Sequence, residues 1–148
     1  MAFPVADLAA FLTGSWRIFR RIDDRLCGTT GRLSGAATFV SAPVGLLYEE
    51  RGRLALGAYR GEADRSYTFV LTGPWTAEVR FADGRLFHLL DLSNGFAAVS
   101  HDCVPDRYDG LYRVDTPDRW TQAWCINGPR KQARLVTVYS RASRQMNV

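Results

Sequence analysis

Cysteine is scarce in this sequence, and the three that occur, Cys27, Cys103 and Cys125, fall in no C-x-x-C spacing. That excludes a thioredoxin-type motif and a zinc knuckle, and an odd number of thiols does not suit a disulfide-stapled secreted scaffold. Histidine is scarcer still, at two residues, His88 and His101. Lysine occurs once, as Lys131, among 19 basic residues, and no basic run is long enough for a nucleic-acid-binding arm. No stretch approaches the roughly 18 apolar residues of a membrane span. The N-terminus lacks the basic start and apolar stretch of a secretory signal. The P-loop, G-x-G-x-x-G, G-x-S-x-G and H-E-x-x-H signatures are missing. Together these absences predict a cytoplasmic protein with no membrane span, no nucleic-acid partner, no metal and no cofactor.

What is present is a chain of 148 residues, 47% hydrophobic and 23% charged, with a net charge of +4. That balance suits one globular domain over residues 1–148, which buries roughly two-thirds of its unfolded surface on folding. Pro4 opens a pattern in which Val5, Leu8, Ala9, Phe11 and Leu12 recur at helical spacing, and Gly14 closes it. A short helix is therefore expected at about 4–12, followed by a barrel over about 14–141. Turn residues then recur every eight to twelve positions between β-rich segments. Strands are read at 15–22, 31–40, 45–54, 66–71, 76–82, 85–91, 96–103, 107–114, 119–126 and 133–140, with a less regular one near 56–60. The fold class expected is all-β: a single antiparallel up-and-down barrel of about eight to ten strands with a short N-terminal helix.

Two dipeptides set register. Asp83-Gly84 and Asn94-Gly95 suit two-residue hairpin loops, where both positions need positive φ. The second loop would place His88 directly opposite His101, and the first would place Val79 opposite His88. Alternation then puts Ala77, Val79, Phe81, Leu86, His88, Leu90, Ala97, Val99, His101 and Cys103 on an inward face, and Phe87, Leu89 and Phe96 on the outer one. A loop at Pro105-Asp106 would set Tyr108 opposite Cys103, Gly110 opposite His101 and Tyr112 opposite Val99.

A cross-strand imidazole pair on an apolar face can share a hydrogen bond, bind a metal, or donate to an anionic ligand. It can equally be a satisfied core pair bonded to Tyr108 or Tyr112. A metal would need a third ligand, for which only Cys103 is at hand. As a nucleophile Cys103 would sit about 7 Å from His101, too far for a direct hydrogen bond. A second group comprises Arg20, Arg65, Tyr48, Glu50, Tyr67, Tyr112 and Trp124. Alternation puts Trp16, Ile18, Arg20 and Ile22 on one face, and a buried Arg20 must have a partner, either Glu50 or a ligand's acid group. Gly128-Pro129-Arg130-Lys131, between the last two strands, reads as a loop that could gate a barrel mouth and attract anions, or as a solvated tight turn.

Gly14-Ser15-Trp16 directly after a short helix, and Arg141 just past the last strand, resemble the calycin superfamily of lipocalins and fatty-acid-binding proteins. That resemblance implies that Trp16 stacks against Arg141 at the closed end, a cation–π contact worth about 0.5–2 kcal/mol. Phe81 to His88, His101, Pro105 to Tyr108 and Gly128 to Lys131 also resemble a calycin-like family carrying a domain-of-unknown-function label, which implies the fold and no activity.

The leading functional expectation is a barrel that holds a small, partly apolar, anionic molecule, with His88, His101, Tyr108, Tyr112, Arg20, Tyr67 and Trp124 contacting it. A second reading is a small enzyme of isomerase, cyclase or hydrolase type with His88 or His101 as general acid or base. A third is a structural or interaction domain whose barrel is filled by its own side chains.

Overall fold

A computed structural model describes residues 1–142; positions 143–148 of the expected domain lie outside the described residues. The chain enters through a strap, residues 3–7, and a single-turn helix α1 (Leu8–Leu12). It then forms β1 (Gly14–Asp24), β2 (Thr29–Ala42), β3 (Gly45–Leu56), β4 (Tyr59–Leu71), β5 (Thr76–Phe81), β6 (Leu86–Asp91), β7 (Phe96–Cys103), β8 (Asp106–Thr116), β9 (Arg119–Asn127) and β10 (Gln132–Arg141). All ten make one antiparallel sheet in the order β6-β5-β4-β3-β2-β1-β10-β9-β8-β7. The all-β barrel with a short N-terminal helix is therefore present, nearly closed.

The helix is shorter than the sequence pattern suggests. Asp7, not Pro4, starts it: the Asp7 side chain accepts from the Ala10 amide, and residues before it run as a strap. In that strap the Phe3 amide donates to Val114, Val5 to Leu92 and Leu8 to Pro74. Val5, Leu8 and Leu12 are buried, so strap and helix plug one end of the barrel. Trp16 seals the same end, where its indole N–H donates to Leu12 O at 2.8 Å. The Arg141 guanidinium lies 4.2 Å from the Trp16 ring centre and also bonds Asp118, Pro117 O and Phe11 O. We call this end the base and the other the mouth.

The irregular segment near 56–60 is not a separate strand. It is the Gly57-Ala58 turn between β3 and β4, two strands of 12 and 13 residues. Strands of that length must bend to close a barrel, and glycine marks where one does. Gly35 of β2 faces Gly52 of β3, and a Cβ on Gly35 would come within 2.1 Å of Arg51 O and 2.5 Å of Gly52 Cα.

The expected hairpin at Asn94-Gly95 is absent. The tight turn falls one residue earlier, with the Gly95 amide donating to Leu92 O. Gly95, at φ 73°, instead lets the strap lie against it, since a Cβ there would meet Phe3 O at 2.2 Å. Among the described residues no backbone ladder joins β6 to β7, and the two form the open seam of the barrel. His88 therefore does not face His101 across a ladder. His101 pairs with Tyr108, Val99 with Gly110, and Ala97 with Tyr112. That β7–β8 register differs by two positions from the expected one because the turn is Val104-Pro105, with Cys103 facing Asp106.

Val79 does face His88, by way of two offsetting departures. The β5–β6 loop has three residues, Ala82 to Gly84, with the Phe81 amide bonded to Arg85 O. A bulge at Phe87 then restores the register. The bulge reverses the expected facing there: Phe87 is buried and Leu86 is exposed.

Replacing Gly35 by Ala is expected to cost about 2 kcal/mol or more, because the added methyl meets backbone that cannot yield. Urea unfolding of the variant beside the parent measures it, and an unchanged midpoint would contradict the close approach.

Candidate functional site

The barrel lumen is crossed by a buried polar cluster. Alternation on β1 sends Trp16, Ile18 and Arg20 inward, and on β3 it sends Leu46, Tyr48 and Glu50 inward. Arg20 and Glu50, 2% and 4% exposed, meet as a two-bond pair at 2.7 and 2.9 Å. Arg20 Nε donates to Thr137 Oγ1 at 2.7 Å. Tyr48 donates to Glu50 Oε1 at 2.5 Å and also meets Tyr139 Oη at 2.9 Å. Arg65 reaches Glu50 from β4 at 3.2 Å and donates from Nη1 to Tyr67 Oη. Burial alone would raise the Glu50 carboxyl, but the Arg20 bonds and charge, with Arg65 and Tyr48, hold it below the usual carboxylate value. Burial pushes the Tyr139 hydroxyl up to about 12, so it stays protonated.

His88 belongs to the packed interior, at 3% exposure. Its Nδ1 lies 3.0 Å from Leu89 O, a pure acceptor, so Nδ1 carries the proton. Its Nε2 then accepts from Tyr112 Oη at 3.0 Å. Both ring nitrogens are used. Desolvation lowers the His88 pKa to about 4.

Toward the mouth, rings dominate. Phe87 stacks on Trp124 at 4.9 Å, on Phe81 at 4.6 Å and on Tyr67 at 5.6 Å. The His101 ring packs edge-on against Phe81 and Phe87, each at 5.4 Å, so side chains bridge the seam where backbone bonds do not. Gly110, expected opposite His101, instead faces Trp124, whose indole fills the space a side chain there would take. Above this layer opens a cavity of about 310 Å³. Tyr67, Phe81, Phe87, Tyr108 and Trp124 supply its rings, and Arg65, Arg85, Lys131 and His101 its cationic or polar groups. No carboxylate is among its described lining residues. Lys131 sits over the Tyr108 ring, 5.6 Å from its centre, and bonds its hydroxyl at 3.3 Å.

The mouth cavity thus gathers His101, Tyr108, Tyr67 and Trp124. Arg20 and Tyr112 lie below it in the inner layer, and His88 lines neither space. Trp16 and Arg141 are at the opposite end. Sequence alternation misplaced Phe87, because nothing in the residues announces a bulge. Lys131 could have been found from the loop reading of residues 128–131, and Arg65 from its place in the second group. Among the described residues no cluster of three or more His, Cys, Asp or Glu could hold a metal. Among those residues no helix is long and apolar enough to cross a membrane either.

Residues 12–141 match the Family of unknown function (DUF6314). No curated protein matches the sequence. Among solved structures the fold is similar to the S-type phycobiliprotein lyase CPES of Guillardia theta, with 8% identity, a TM-score of 0.67 and coverage of 95% of this chain and 93% of that one. It is also similar to a protein of unknown function from the DUF3598 family of Nostoc punctiforme, at 12% identity and TM-score 0.62, covering 95% of this chain and 51% of that one. At such identities the likeness is one of fold.

The depressed His88 pKa fixes a pH dependence. Unfolded His88 takes up a proton near pH 6.5, whereas the folded ring resists protonation until about pH 4. The neutral ring's stabilisation is fully present above pH 6.5 and lost as pH falls toward 4, by about 3 kcal/mol. Urea unfolding across that range should show the slope, and His88→Gln should remove it. A parental slope in the variant would contradict a buried neutral imidazole.

Proposed function

Because the chain belongs to this family of unknown function, its activity has to be read from its own residues, and we propose that it is a calycin-like, small-molecule-binding barrel protein of one domain over residues 1–148. The ligand is partly apolar and anionic, and it sits in the mouth cavity. The observation that carries this reading is the cavity's composition: about 310 Å³, walled by five aromatic rings, edged by Arg65, Arg85 and Lys131, and free of carboxylates along its lining. Such a volume lies at the lower end of the roughly 300–1,000 Å³ typical of ligand pockets. Stacked rings offer apolar area at little entropic cost, and the cations favour a negative group.

His101, Tyr108, Tyr67 and Trp124 contact the ligand in this reading. His88, Tyr112 and Arg20 support it from below, holding the rings in place. The engagement of both His88 nitrogens favours binding over acid–base catalysis by that residue. An open mouth cavity argues against a wholly filled barrel. Three free cysteines support a reducing compartment, the cytoplasm.

The fluorescent anion 1-anilinonaphthalene-8-sulfonate should bind at one site. Reversing two rim charges, Arg85→Glu with Lys131→Glu, should weaken it about tenfold, as two exposed charge contacts allow. Both side chains are exposed, so the melting temperature should hold. Unaltered affinity would put the probe elsewhere and remove support for this site.

A further inference from the structure

Beneath the mouth cavity lies a second void of about 20 Å³, room for about one water-sized group. The two spaces share a wall of Arg65, Tyr67, Phe87 and Trp124. Around the inner void one carboxylate, Glu50, meets two guanidiniums, leaving one positive charge in surplus. Arg20 commits every one of its side-chain nitrogens to Glu50 and Thr137. Arg65 does not: Nε serves Glu50, Nη1 serves Tyr67, and Nη2 has no protein partner among the described residues. The surplus therefore resides on Arg65, at the boundary between the two spaces.

A second observation is independent of charge. Trp120 also lines the inner void and is only 2% exposed. Its Nε1 is the one buried side-chain polar atom without a hydrogen-bond partner among the described residues. The ring cannot turn to find one, because it lies flat on Tyr139 with centres 3.7 Å apart. An unmade buried donor costs about 1–3 kcal/mol, which a correctly placed acceptor recovers. Both groups, the half-exposed Arg65 amino group and the buried Trp120 N–H, donate and cannot accept.

Resting on the binding reading above, we infer that the ligand is a flat aromatic carboxylic acid, with its carboxylate on Arg65 and one oxygen in the inner void. Its ring lies in the mouth cavity against the Phe87–Trp124 stack. A carboxylate is acceptor-only when ionised and carries a single oxygen forward, which the void's size permits. Sulfonate and phosphate groups, with three terminal oxygens on a tetrahedral centre, are too large to enter and stay in the mouth. An amine would meet the surplus charge and two donors.

The test compares anthracene-9-carboxylate with the neutral anthracene-9-methanol, by quenching of tryptophan fluorescence. The parent should bind the acid about tenfold tighter than the alcohol, the scale of one charge-assisted hydrogen bond. Arg65→Met should erase that preference, bringing acid and alcohol to similar affinity, while Arg65→Lys keeps part of it. Glu50 retains its two-bond Arg20 partner in both variants, and a thermal melt verifies folding. Trp120→Phe keeps the ring stack, removes the N–H, and should weaken the acid alone by about threefold. Equal affinity of the parent for both compounds, or a preference surviving Arg65→Met, would overturn the carboxylate assignment and leave the binding barrel standing. Binding of neither compound by the parent would overturn the barrel reading as well.

Discussion

The buried pairing of Arg20 with Glu50 governs the interior of this barrel. Neither charge could sit at that depth alone, since an unpaired buried ion costs several kcal/mol. Their meeting ties β1 to β3 over the inner face of the intervening β2, and Thr137 on β10 supplies the remaining acceptor. Tyr48 and Tyr139 close the ring of bonds. Each partner is needed by another, so the cluster fixes the positions of five side chains on three strands. It also divides the lumen: toward the base the space is filled, and toward the mouth it opens.

Aromatic layers carry that division outward. Tyr112, Trp120 and Tyr139 lie nearly parallel in the middle of the barrel. Nearer the mouth, Phe81, Phe87, Tyr67 and Trp124 form a second set. His88 joins the two sets, through its bond to Tyr112 and its packing on Phe87 and Trp124. A histidine with both nitrogens committed keeps a packing role.

Much of the fold was legible because alternation survives in the long strands. Trp16, Ile18 and Arg20 face inward as their spacing predicts, and of the two partners a buried Arg20 could take, Glu50 is the one it meets. Legibility failed where backbone departs from two-residue periodicity or where distant segments compete for a turn. Phe87 faces inward only because a bulge offsets a three-residue loop, and nothing in its neighbours signals this. Asn94-Gly95 carries a strong local hairpin signal, yet the strap needs the bare Cα of Gly95, and that tertiary contact outweighs the local preference. The histidine pair expected from that hairpin goes with it. The mouth cavity rests on which side chains fail to fill space, a property of the assembled barrel.

The seam between β6 and β7 sets this molecule apart from a hoop of continuous backbone bonds. Elsewhere around the circumference, widening the lumen would break paired amides and carbonyls. At the seam it would part side chains instead, with His101 drawing away from Phe81 and Phe87 and the His88–Tyr112 bond giving way. The cross-section therefore has the mechanics of a split collar, able to spring at one line while the rest of its wall keeps its curvature.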